Sequence, residues 1–122
     1  MASEATHLAP EGFEPILADA DAIVDYIAAW SSEDICRELT WEHFRDAAAK
    51  LKWFSLCEIR PGNADMNLRS PSRDRRYTGM DPLTRPPIVV LDAEIQDGHH
   101  RYRAAAKNQE MGLWGYDVEY SA

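Results

Sequence analysis

The sequence has few of the features that mark membrane, secreted or metal-binding proteins. No apolar run approaches the roughly 20 residues that span a bilayer. Residues 1–15 show neither the basic start nor the apolar stretch of a secretory signal. The two cysteines, Cys36 and Cys57, fit no metal or redox spacing, so buried free thiols are expected and a disulfide is the less favoured alternative. These absences favour a cytoplasmic protein without membrane contact.

Basic residues are scarce relative to acids. The chain has 13 lysines and arginines against 21 aspartates and glutamates, and its net charge is −8. The whole excess falls in residues 1–50, and the rest of the chain is balanced. Phosphate neutralisation supplies most non-specific affinity for DNA, so this charge disfavours general nucleic-acid binding. A local basic patch in the second half stays open, and the acidic half with its tryptophans suggests an interface for a partner protein or a homodimer.

The 122 residues, 45% of them hydrophobic, suit one compact α+β domain. Residues 1–52 are predicted to form an acidic helical extension, and residues 53–122 a module with a small mixed β-sheet. In the extension, apolar spacing predicts helices over 19–30, 32–39 and 41–52, with Ser32 capping the second. In the module, strands are predicted at 53–59, 87–91, 94–96 and 114–120, with a helix over 99–109.

A long connection is expected over residues 60–86, where prolines and glycines interrupt any regular element. Six arginines gather in it. Arg73 and Arg76 are candidates for closing over a nucleotide or for contacting nucleic acid. A solvated turn is an equally good interpretation of that cluster.

The stretch Asp97-Gly98-His99-His100-Arg101 carries the strongest chemical signal, because it lies where a strand gives way to a helix. The start of a helix has unpaired N–H groups and partial positive charge, which suit an anion. Gly98 permits a positive φ and a close phosphate, and Arg101 can fork onto phosphate oxygens. His99 and His100 can donate or transfer protons, while Asp97 can act as a base or hold Mg²⁺.

The simpler alternative for this stretch is an ordinary turn, with Asp97 capping the helix and both histidines on the surface. A metal site made by the two histidines is disfavoured, because adjacent helical side chains project about 100° apart.

The same elements occur in the order found in the ParB/sulfiredoxin superfamily, which the sequence resembles from about Leu56 to Tyr120. The resemblance is carried by Pro87–Val90, Glu94–Ala105, Gly112 and Val118–Tyr120. Partition proteins of that superfamily have a Gly-Glu-Arg-Arg-like turn, and sulfiredoxins have Gly-Cys-His-Arg. The resemblance implies a nucleotide-binding module that uses CTP or ATP. By position, Gly98 is the turn glycine, His100 the sulfiredoxin histidine, and Arg101 the phosphate-binding arginine.

Departures from the family narrow the expected function. His99 stands where sulfiredoxin has its cysteine, so sulfiredoxin activity is rejected for want of a nucleophile. No helix-turn-helix is recognised after the module, so the nucleotide-binding core is expected without the partition role. The expectation is an NTP phosphate-binding protein, with Mg²⁺-dependent phosphotransfer or hydrolysis by Asp97, His99 and His100 left open. A nuclease or DNA-associated protein and a non-catalytic interaction protein are the alternatives.

Overall fold

The computed structural model describes residues 8–31, 35–62 and 77–121. It shows a small mixed α+β domain, which confirms the predicted class. The described elements are, in chain order, β1 (Ile16–Leu17), α1 (Ala20–Trp30), α2 (Arg37–His43), β2 (Ala47–Ser55), a 3-10 helix (Leu56–Glu58), β3 (Ile88–Leu91), β4 (Glu94–Asp97), α3 (His99–Lys107) and β5 (Gly112–Tyr120). None of the described helices has the length and apolar character needed to cross a membrane.

The five strands form one mixed sheet in the order β1-β2-β5-β3-β4. The strands β2 and β5 pair antiparallel along their whole length, and β3 runs parallel to β5. The strands β3 and β4 form an antiparallel hairpin, whose turn at Asp92-Ala93 has positive φ at both residues. That turn confirms the tight turn predicted there. Because β4 is an edge strand, the Asp97-Gly98 turn and the start of α3 lie at the edge of the sheet.

The sheet buries side chains on both of its faces. On one face, Val89 and Tyr116 belong to the same core cluster as Ile23 of α1. On the other face, Ile88 shares a cluster with Ala105 of α3. Successive side chains of a strand point to opposite faces, so β3 is buried on both sides, as its unbroken apolar run indicates. The helices α1 and α3 therefore cover opposite faces of the sheet.

The helix predicted over 41–52 is wrong. The helix α2 ends at His43, and the alanine-rich stretch that follows is the strand β2. Alanine and lysine favour helices, but every residue of β2 has a partner on β5, and Ala47 and Ala49 are buried in the core. Packing against β5, a strand that begins only at Gly112, thus overrides local propensity.

Several further expectations differ from the structure. The strand predicted over 53–59 ends at Ser55, whose hydroxyl accepts from the Cys57 amide while its own amide donates to Glu58, so the chain turns into a 3-10 helix. The boundary at 52/53 falls inside β2, so one sheet includes strands from both predicted parts. Cys36 and Cys57 are free, as expected, but both are exposed rather than buried. The helix predicted over 32–39 begins at Arg37 and continues past Leu39 to His43, with Cys36 as its cap residue, while Ser32 lies outside the described residues.

Candidate functional site

The start of α3 is unusual for a helix N-terminus. Gly98 occupies the cap position with φ 103°, and no side chain caps the helix. The first turn contains no acid and instead begins with His99, His100 and Arg101. Helix N-termini usually favour negative groups, because their amide dipoles leave partial positive charge there. This turn therefore concentrates positive and proton-donating groups where the backbone is already electropositive.

The fold itself requires the glycine at position 98. Its left-handed backbone is one that residues with a Cβ rarely adopt. A Cβ built on Gly98 would also lie 2.5 Å from Cγ2 of Ile88 on the neighbouring strand. Packing against β3 thus accounts for the glycine, without any need for space at a phosphate.

The buried side chain of Arg101 connects α3 to the segment before β3 and to the end of β4, a structural role that the sequence did not predict. Its side chain is 2% exposed. One guanidinium nitrogen, Nη1, donates to the carbonyl oxygens of Pro86 at 3.1 Å and Pro87 at 2.9 Å, and Nη2 donates to the Asp97 carboxylate at 2.9 Å. Buried carbonyls need donors, and an arginine supplies several in a fixed fork. Both terminal guanidinium nitrogens thus contact protein groups in this structure, and the predicted fork onto phosphate stays a prediction.

Asp97 is tied to the same link. Its side chain is 14% exposed and its Oδ2 atom accepts from Arg101, while Gly98 rather than Asp97 caps the helix. A Mg²⁺ ion on that oxygen would stand beside a guanidinium, and the two cations would repel each other. Across the described ranges, no three His, Cys, Asp or Glu side chains come close enough together to form a metal site. The Oδ2 atom of Asp97 is already paired with Arg101, and the predicted role of this residue as a Mg²⁺ ligand stays a prediction.

Both histidines are buried, at 3% exposure for His99 and 5% for His100, so the surface interpretation is wrong. The Nε2 atom of His99 lies 2.8 Å from the Pro61 carbonyl oxygen. A carbonyl only accepts, so Nε2 carries the hydrogen. The Nδ1 atom of His100 lies 2.9 Å from Nη2 of Arg103. A guanidinium only donates, so Nδ1 of His100 accepts and its ring is assigned a hydrogen on Nε2.

Arg103 is a residue that the sequence analysis missed. It is partly exposed, it lies one turn into α3, and burial lowers the pKa of its guanidinium. Its contact with His100 follows from an i, i+3 spacing, which places two side chains on the same face of a helix. That spacing is visible in the sequence and is the signal that could have found it.

The predicted arginine-rich connection meets α3 at both of its described ends. Pro61 accepts from His99 at one end, and the ring of Tyr77 lies 5.9 Å from the Arg101 guanidinium at the other. Arg85 is paired with Glu110, away from this turn. Arg73 and Arg76 lie outside the described residues, so their role as phosphate contacts stays a prediction.

Comparison with protein-family models, with curated proteins and with solved structures found no match to this chain. The resemblance to the ParB/sulfiredoxin superfamily therefore stays a prediction, and the class defined here is a small mixed α+β domain with a basic, side-chain-uncapped helix start at the edge of its sheet.

Proposed function

We propose that the first turn of α3 binds an oxyanion, and that this anion is the phosphate of a nucleotide such as ATP or CTP. One observation carries the proposal: α3 begins at a left-handed glycine with no side-chain cap and no acid in its first turn. The Arg103 guanidinium, one turn into α3, places a positive charge near the positive end of the helix dipole, where a cation is unfavourable. A bound anion would offset that cost and would accept from the backbone N–H groups.

The residues of the turn divide into two roles under this proposal. The backbone N–H groups that follow Gly98 and the partly exposed Arg103 are the donors proposed to contact the anion. Asp97 and Arg101 are positioning residues, because their ion pair and the proline carbonyls fix the turn in place. His100 contacts Arg103 and is proposed to orient that guanidinium.

The proposal concerns binding and assigns no chemical step. The predicted catalytic groups Asp97, His99 and His100 each contact another protein group in this structure. Phosphotransfer or hydrolysis by them stays a prediction. The nuclease alternative placed the histidines and carboxylates around a metal, with support from the arginine cluster that includes Arg73 and Arg76. Those two arginines lie outside the described residues and the net charge of −8 opposes that function, so we do not propose it.

Thermal unfolding in the presence of candidate ligands tests the proposal. The probes are ATP, CTP, GTP, inorganic phosphate and pyrophosphate, each with and without Mg²⁺. A ligand at about 100 times its Kd should stabilise the native protein by about 2.7 kcal/mol. Arg103→Gln should weaken that binding by about tenfold, which corresponds to one charge-assisted hydrogen bond.

The matched control is Lys107→Gln, which removes the same charge from the last turn of the same helix. The affinity of this variant for the same ligand should stay within about twofold of that of the parent protein, because the effect of a helix terminus is confined to one turn. Equal losses of ligand affinity in Arg103→Gln and Lys107→Gln would show that the ligand is held by general charge attraction and not by the first turn of α3. If none of the probes stabilises the protein, the phosphate site does not exist.

A further inference from the structure

The helix α2 lies on the surface of the domain and is hydrogen-bonded to the sheet at its last residue, His43. It has seven residues, none of which is buried, and its cap residue Cys36 makes no side-chain hydrogen bond to it. Leu39 is 72% exposed, although leucine is a residue that folding normally buries. Isolated helices shorter than about 12 residues are marginal in water, so most helical stability comes from packing of an apolar face. The apolar face of α2 is only partly covered by the described chain.

An apolar groove lies between α2 and α1. It has a volume of about 580 Å³, and its apolar lining consists of Val24, Leu39 and Trp41. Val24 is buried at the base, Trp41 is half-buried, and Leu39 is exposed at the rim. A volume of this size accommodates a few large side chains of an incoming segment, as in other helix-in-groove interfaces.

The rim of this groove is acidic. Three exposed carboxylates line it, those of Asp21, Glu38 and Glu42. Arg37 supplies the cation among its lining residues, and it forms an ion pair with Asp25 at the surface. The potential at the groove is therefore negative, in the half of the chain that holds the whole net charge of −8.

We propose that the α1–α2 groove, lined by Val24, Leu39 and Trp41, binds a basic amphipathic helix of a partner protein. The apolar side of that helix would pack on Leu39 and Trp41, so that the partner adds a third helix to α1 and α2. Its lysines and arginines would face Glu38 and Glu42, and this complementarity would speed association and select the partner.

The same charge disfavours other occupants. A second copy of this chain would bring the acidic faces of α1 and α2 against an acidic rim, and like charges across an interface repel each other. Nucleic acid and anionic lipid carry the same sign of charge as the rim. The inference is independent of the phosphate proposal, because it uses neither α3 nor its first turn.

Two synthetic helical peptides of about 15 residues test the inference. Both have the same leucine stripe, with lysine on the polar face of one and glutamate on that of the other. Fluorescence anisotropy should show that the leucine/lysine peptide binds and the leucine/glutamate peptide does not. Leu39→Ser should weaken binding by about tenfold, the loss of one buried anchor. Glu38→Gln should weaken it by a smaller factor that shrinks with added salt.

Matched controls separate the groove from general attraction to an acidic protein. Leu83→Ser removes another exposed leucine, and Glu119→Gln removes another exposed acid, both outside the groove. Each should change binding by less than about twofold, since general attraction depends little on one residue. Circular dichroism verifies that all variants fold. The inference is overturned if neither peptide binds, or if Leu83→Ser weakens binding as much as Leu39→Ser. It is also overturned if the chain self-associates through Leu39 in sedimentation.

Discussion

The first turn of α3 and the helix α2 are both short and rich in charge, but they differ in burial. In α3, the side chains of His99 and Arg101 are almost fully enclosed and donate to backbone carbonyls. In α2, none of the residues is buried, and the polar side chains face solvent. Buried charge must be paired, so it fixes local geometry, whereas exposed charge contributes little to folding and can serve a partner.

The buried first turn of α3 is hydrogen-bonded to a carbonyl that also contacts α1, on the other face of the sheet. The hydroxyl of Tyr26, on α1, donates to the Pro87 carbonyl that also accepts from Arg101 of α3. Burial raises the pKa of Tyr26 above its ordinary value. Helices on opposite faces of the sheet thus meet at one carbonyl oxygen, just before β3. The links of α2 to the sheet are exposed by contrast: the Tyr120 hydroxyl donates to the His43 carbonyl, and the His43 ring lies 3.0 Å from the Gln96 side chain.

The largest effect is expected at that link. Arg101→Met should lower the free energy of unfolding by about 3–5 kcal/mol, because it removes the guanidinium that pairs with Asp97 and donates to the Pro86 carbonyl, while the Pro87 carbonyl keeps the Tyr26 hydroxyl as a donor. Arg101→Lys should cost less, since it keeps the charge but not the fork. Urea denaturation followed by circular dichroism measures both. If Arg101→Met costs less than about 1 kcal/mol, the first turn of α3 is no better anchored than α2 and the contrast between them fails.

A second, smaller effect on the free energy of unfolding is expected at the Arg85–Glu110 ion pair, just beyond the C-terminal end of α3. Arg85, whose side chain is 3% exposed, donates to both carboxylate oxygens of Glu110 at 2.7 and 2.8 Å. These hydrogen bonds lower the pKa of Glu110 below its ordinary 4.5. A carboxyl whose pKa is lower in the folded state than in the unfolded state stabilises the protein at any pH above its unfolded-state pKa. That contribution is lost as the pH falls through the folded-state pKa.

Glu110→Gln should therefore cost about 2 kcal/mol at neutral pH, the value of hydrogen bonds to a charged group. The difference from the parent should shrink as the pH falls below 4.5, because the parent carboxyl then becomes neutral as well. Urea melts at neutral pH and at about pH 3 test this, with Glu119→Gln as a matched exposed acid. A constant difference at both pH values would show that the ion pair does not stabilise this end of α3.

Most of the fold around α3 could be predicted from local sequence signals. The features that depend on packing between distant parts of the chain could not. The β3–β4 hairpin, the Asp-Gly turn and the helix that follows are each determined by residues within a few positions of one another. The strand β2 was mistaken for a helix because its identity depends on β5, far along the chain. The burial of Arg101 was equally hidden, since no sequence pattern shows that the Pro86 and Pro87 carbonyls face that guanidinium.

The smallest effect is expected at α2 and gives the sharpest test of the comparison. Leu39→Ser should change the free energy of unfolding by no more than about 0.5 kcal/mol, because the side chain is 72% exposed. The control is Ile23→Ala on α1, which is 0% exposed and should cost about 3 kcal/mol through the cavity that it leaves. A cost above about 1 kcal/mol for Leu39→Ser would place α2 in the core after all. If stability is unchanged while peptide binding is lost, the leucine contributes to recognition of a partner and not to folding.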